Sequence, residues 1–187
     1  MNHISLIECI SIIEQMNNSL FLIQINNLYQ LIDNSFKSNG KLIFVGNGGS
    51  ASDSLHLAGE FTGIGFPAIS LSSNIASITA IANDKHYNDI FVDQLRALKP
   101  SEKDILIALT TSGNSINILN VVSEANYLNI STIGITGNQL NNKLHQITKF
   151  TIQIPSRNTQ RIQEMTLLIF HLIYERIKVN QLTVDKQ

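Results

Sequence analysis

Four side chains in this sequence have the types and spacing of an acid/base or metal centre: His56, Glu60, Gln163 and His171. His56 and Glu60 are four residues apart, so on a helix they share one face and reach one ion or one substrate atom. The competing reading is an ordinary i,i+4 pair on a solvated face. His171 stands in MTLLIFHLIY, a stretch apolar on nearly every side, where a histidine needs a partner, whether in a core or in a site. Gln163 lies eight residues earlier, about 12 Å along a helix. The two converge on one ion only with a strong inward tilt or with a contribution from two chains.

Two loops offer a second kind of chemistry. In VGNGGSASDSLHLAGE, residues 45–60, Gly46, Gly48 and Ala51 fit the G-x-G-x-x-A spacing of a nucleotide turn. A dinucleotide fold also needs an acidic residue roughly 20 positions on, and the corresponding stretch PAISLSSN carries none. No Gly-Lys-Ser/Thr follows either, so a nucleotide cofactor is not expected. What remains is backbone amides at a helix N-terminus with Asn47 and Ser50 beside them, a seat for an anion or for sugar hydroxyls. LTTSGNS, residues 109–115, supplies the hydroxyls of Thr110, Thr111, Ser112 and Ser115 around Gly113. Hydroxyls and amides without a lysine suit a phosphomonoester rather than a triphosphate with magnesium. Ser115 by itself reads equally well as a helix N-cap.

These residues need a framework. Short apolar runs at 41–46, 67–71, 104–109, 131–136 and 149–155 alternate with helical stretches at 50–63, 75–97 in two pieces, 115–129, 138–146 and 158–179. That alternation predicts an α/β fold: a three-layer, doubly wound sandwich around a five-stranded parallel sheet. Residues 4–38 read as a helical hairpin with Asn17-Asn18-Ser19 between its arms. The chain is expected to form a single domain over 1–187, with the hairpin at 1–38 and the sheet-and-helix core at 41–179. In such folds ligands sit beyond the carboxyl ends of the strands, where both loops fall.

The 187 residues carry 13 Lys+Arg against 14 Asp+Glu, so no broad basic field exists for a nucleic acid or an anionic membrane. Cys9 is the one cysteine, which excludes an internal disulfide and fits a reducing compartment. The first residues lack the pattern of a signal peptide, and no apolar run approaches the roughly 18 residues that cross a bilayer. A cytoplasmic protein is expected. An apolar content of 43% with 14% charge points to apolar surface covered by copies of the same chain.

Taken together, GNGGSASDSLHLAGEFTG at 46–63, PAISLS at 67–72, AIANDKHYNDIF at 80–91, TTSGNS at 110–115 and RIQEMTLLIFH at 161–171 resemble the phosphoheptose isomerases of the sugar isomerase (SIS), flavodoxin-like fold. The resemblance implies conversion of sedoheptulose 7-phosphate to D-glycero-D-manno-heptose 7-phosphate, for heptose precursors of surface polysaccharide. It implies Glu60 as the base that moves a proton between two carbons and His171 as its acid/base partner. It implies a zinc ion, one per subunit, on His56, Glu60, Gln163 and His171. The sugar phosphate would be lined by Asn47, Gly48, Gly49, Ser50, Asn83, Asp84, Thr110, Thr111, Ser112, Ser115 and Gln163. A homotetramer with active sites between subunits is implied as well.

Two positions depart from the family pattern. Many members follow the Thr-Gly of the first helix with an Arg and a longer basic loop, whereas Thr62-Gly63 is followed here only by Ile64, Gly65, Phe66 and Pro67. A cationic contact to substrate or subunit is missing or replaced, which leaves the sugar open. Position 160 is Gln where some relatives are acidic. The alternatives are a non-catalytic adaptor on the same fold, of the replication-initiator-associating type, and an isomerase for another sugar phosphate. The presence of His56, Glu60 and His171 favours the enzyme.

Overall fold

Strand segments that are apolar on both faces need a layer of helix on each side, and the sheet here is packed by hydrophobic cores on both faces. The computed structural model describes residues 4–184. Its strands are β1 (Leu42–Gly46), β2 (Ala68–Ser70), β3 (Ile105–Leu109), β4 (Ser131–Gly137) and β5 (Phe150–Ile154). They form one parallel sheet in the order β2-β1-β3-β4-β5. The helices are α1 (Ile4–Met16), α2 (Ser19–Lys37), α3 (Gly49–Gly63), α4 (Ile75–Asp84), α5 (Ile90–Ala97), α6 (Ile116–Tyr127), α7 (Lys143–Ile147) and α8 (Thr159–Val184), with a 3-10 turn at Tyr87–Asp89. Every predicted element is present, with boundaries shifted by a few residues.

Alternate residues of each strand serve different cores. Leu42 and Phe44 join α1, α2, α3 and α8 on one face, while Ile43 and Val45 join α5 and α6 on the other. The step from β1 to β2 runs opposite to every later step, and right-handed crossovers therefore put α3 on the face away from α5, α6 and α7. The reversal falls between β1 and β3. The loops leaving those two strands open a crevice at their carboxyl ends, and they are the glycine turn and the TTSGNS loop.

The N-terminal helices do not lie side by side as hairpin arms; they meet at 79°. Asn18 accepts a hydrogen bond from the Phe21 amide at 3.0 Å and starts α2 in a new direction. Ile12, Met16, Phe21, Leu28 and Ile32 all join the core on the β1–α3–α8 side of the sheet, so both helices turn their apolar faces to it. Among the described residues no single helix is long and apolar enough to cross a membrane. The bent α1–α2 pair has the length and composition, with those five residues inside the protein. Its outer face leaves Leu6, Ile7, Ile10, Leu20, Leu22 and Ile23 exposed.

Aromatic rings hold α3 and α8 to β1. Phe44 meets Phe170 edge-on at 5.6 Å and Phe61 at 6.0 Å, and Phe61 meets Phe170 edge-on at 6.5 Å. Phe66 in the short loop after α3 is fully buried, stacked on Phe36 at 4.3 Å and edge-on to Phe61. The abbreviated loop is thus closed by an apolar plug where a basic segment was expected from the family pattern. Phe170→Ala is expected to cost about 3–5 kcal/mol, read as a lower urea midpoint with an unchanged slope; a midpoint within error of wild type would contradict this role.

Candidate active site

Phe61 and Phe170 are each adjacent in sequence to a polar residue, and locking the two rings together brings Glu60 and His171 face to face. His171 Nε2 lies 3.3 Å from Glu60 Oε2, His56 Nε2 lies 3.6 Å from Glu60 Oε1, and the two histidine Nε2 atoms are 3.2 Å apart. All three residues come from one chain. His171 is therefore no core histidine: its side chain is 42% exposed and its partners are His56 and Glu60. Exposed Leu55 and Leu172 sit beside the triad in sequence on the same two helices.

The donor set suits a divalent cation. Its ligand atoms all lie within 4.8 Å of one another. Two imidazole nitrogens about 2.0–2.1 Å from one tetrahedral ion would stand about 3.3 Å apart, close to the separation found. Glu60 Oε2 is buried and has no hydrogen-bond partner, its contact with His171 lacking hydrogen-bond geometry. The two histidine Nε2 atoms are within hydrogen-bond reach when one ring nitrogen carries a proton and the other is bare.

Gln163 lies elsewhere. It sits at the glycine turn, where a Cβ on Gly49 would meet the end of its side chain and displace it. Gly48 has φ +56°, a conformation that also favours glycine. Together Asn47, Gly48, Gly49, Ser50 and Gln163 form one wall of a cavity of about 270 Å³, and Thr110, Thr111, Ser112 and Ser115 form the other. None of its lining residues is charged. The N-termini of α3, α6 and α8 border it instead, through Gly49, Ser115 and Thr159, and their amides and dipoles favour an anion. Ser115 occupies the N-cap position of α6 yet its hydroxyl makes no cap hydrogen bond. It lies 3.5 Å from the Thr110 hydroxyl and lines the cavity.

Asn83 and Asp84 are outside this cavity's lining. They are exposed at the end of α4, where the Asn83 amide donates to Asp84 Oδ1 at 2.8 Å. Three residues with a place in the site were not singled out from sequence. Thr159 lines the cavity from the start of α8. Asn117 is buried and bonded to Asn47. Asp53, one turn before His56, is buried with Oδ2 unpartnered. A polar residue on the buried stripe of a helix was the available signal for Asn117 and Asp53.

Residues 8–137 match the SIS domain family. The phosphoheptose isomerase of Helicobacter pylori (strain P12) is 39% identical over 154 residues, covering 79% of this chain and 79% of its own. The solved phosphoheptose isomerase of Neisseria gonorrhoeae superimposes with a TM-score of 0.88 at 30% identity, over 94% of this chain and 95% of that one. That of Francisella tularensis gives 0.86 at 30% identity, over 95% and 99%. The fold and the crevice define a SIS-domain protein, and within that class the chain belongs to the phosphoheptose isomerase family.

Burial pushes the Asp53 carboxyl up to about 6, and the charge of His56 only partly opposes this. Because the folded protein holds that proton more tightly than an unfolded carboxyl titrating at about 3.9, stability falls as pH rises between those values and stays lower above them. In metal-free protein, Asp53→Asn is expected to melt higher than wild type at pH 8, with the gap closing toward pH 4. A lower melting temperature at pH 8 in chelator-treated samples would count against it.

Proposed function

We propose that this chain is a ketose–aldose isomerase that converts sedoheptulose 7-phosphate to D-glycero-D-manno-heptose 7-phosphate. The observation that carries the reading is the contact of Glu60 with His171, on the helix that begins at an uncharged phosphate cavity. From Gly49 to His56 the helix rises about 10 Å. A substrate anchored by its phosphate must reach that far to put its carbonyl end at the triad, which favours a long sugar.

With the phosphate held by the hydroxyls of Thr110, Thr111, Ser112 and Ser115 and the amides of Gly48, Gly49 and Ser50, C1 and C2 face Glu60. The Glu60 carboxylate takes a proton from C1, the electron pair forms the C1–C2 double bond, and His171 donates a proton to the C2 oxygen. The enediol then collapses the other way: His171 takes the proton from the C1 oxygen, C1 becomes the carbonyl carbon, and Glu60 returns its proton to C2. Gln163 and Asn47 hydrogen-bond the sugar along the cavity, and Asn83 and Asp84 contact it in the assembled protein.

His56, Glu60 and His171 would hold one zinc ion per subunit, and Gln163, which lies at the glycine turn, would stay with the sugar. Such an ion supplies Lewis-acid stabilisation of developing negative charge on the substrate oxygens. A carboxylate that ligates with one oxygen keeps the other for the proton, which reconciles the two duties of Glu60. The exposed apolar residues of α1 and α2, with Leu55 and Leu172 near the triad, support a homotetramer with sites at subunit boundaries. The single free cysteine and balanced charge support a cytoplasmic location.

Glu60→Gln and His171→Gln are each expected to lower kcat on sedoheptulose 7-phosphate by about 10²–10⁴-fold while the sugar still binds; wild-type-like turnover in both would sink the assignment. Metal analysis of purified protein should find close to one zinc per chain, and His56→Ala should lose it. Full zinc occupancy in that variant would remove His56 from the ligand set. The plugged loop at Ile64–Pro67 favours one second reading, an isomerase for another sugar phosphate. In a thermal-shift panel of heptose, hexose and pentose phosphates the heptose should raise the melting temperature most, and a larger shift with a shorter sugar would select that second reading.

A further inference from the structure

The side-chain amide of Asn47 is already committed before any ligand arrives. Its Nδ2 donates to Asn117 Oδ1 at 2.8 Å, and Asn117 Nδ2 donates back to Asn47 Oδ1 at 2.9 Å. This reciprocal pair spans the crevice, joining the turn after β1 to the first turn of the helix after β3. Asn117 is 2% exposed.

The direction of the pair is set by a group that cannot be reversed. The backbone N–H of Ile118 donates to Asn117 Oδ1 at 3.0 Å, and a backbone N–H can only donate. The other end of the Asn117 amide is therefore the NH2, and the Asn47 atom facing it is the carbonyl. Tyr87, on the 3-10 turn, places its hydroxyl 3.3 Å from that same carbonyl and must be the donor. The Asn47 oxygen thus receives two donors, and one N–H of its Nδ2 has no bond among the described residues. Asn47 lines the cavity, so what its side chain has left for a ligand is a donor.

We propose that Asn117 is a positioning residue that holds Asn47 as a hydrogen-bond donor to an oxygen of the bound sugar phosphate, with Tyr87 as the second clamp on the same carbonyl. Without Asn117 the Asn47 amide is free to turn its carbonyl toward the ligand, where an oxygen of phosphate or sugar would be repelled. The inference rests on the sugar phosphate reading of the cavity, and it makes Asn117 act on binding while Glu60 and His171 act on turnover.

The test is a set of cycles: Asn117→Ala and Tyr87→Phe, each alone and in the Asn47→Ala background, read by KM and kcat and by calorimetric binding of sedoheptulose 7-phosphate. Asn117→Ala is expected to raise KM and Kd about tenfold, the scale of one lost hydrogen bond, with kcat nearly unchanged. Tyr87→Phe moves both the same way by about two- to fivefold. Neither adds anything once Asn47 is Ala. Effects that multiply in the Asn47→Ala background, or a fall in kcat at constant KM, overturn the proposal. Should Asn117→Ala fail to fold, the exposed Tyr87→Phe carries the decision, and an unchanged KM and Kd there overturn it as well. If wild type binds the sugar without isomerising it, the activity reading fails and the binding cycles still decide this one; no binding by wild type defeats both.

Discussion

The edge-to-face contact between Phe61 and Phe170, with Phe44 of β1 completing the cluster, is the constraint on which the reactive centre depends. Ring pairs of this kind add roughly 0.5–1.5 kcal/mol each beyond their burial and fix relative orientation as well as distance. Glu60 and His171 are the next residues along their helices, so the geometry of a polar centre is set by an apolar lock one residue away. Helix α3 joins the cavity to the triad. Its N-terminus borders the anion cavity, and its second and third turns carry His56 and Glu60.

The two ends of that site use different electrostatics. The cavity has no charged lining residue and offers amides, hydroxyls and three helix N-termini, whose dipoles favour an anion. The triad brings ionisable groups together, with Asp53 buried one turn away. The short loop after α3 contributes neither charge nor reach, because Phe66 turns inward against Phe36 and Phe61.

Much of this was legible from residue order. The five apolar runs and the helical periods between them were sufficient for the sheet and its two layers, because burial on both faces leaves a strand no polar alternation. The glycine turn and TTSGNS were legible as one site, because both follow strands at the carboxyl edge of the sheet, and they line one cavity. The bend of 79° between α1 and α2 was not legible, since apolar spacing gives a buried face without saying what buries it. Ser115 was undecidable for a similar reason: a serine before a helix can cap it or leave its hydroxyl for a ligand, and only coordinates separate the two.

By itself, then, the sequence determined which elements form and which side chains were candidates for chemistry, because hydrophobic period and residue type are local properties. It could not determine that His56, Glu60 and His171 meet within a single chain, that Gln163 lies against Gly49 instead, or that Asn117 reaches across to Asn47. Those contacts join residues 70 to 115 positions apart. They exist because packed aromatic rings and a parallel sheet leave α3, α6 and α8 one mutual arrangement, and that arrangement is a property of the filled core rather than of any segment.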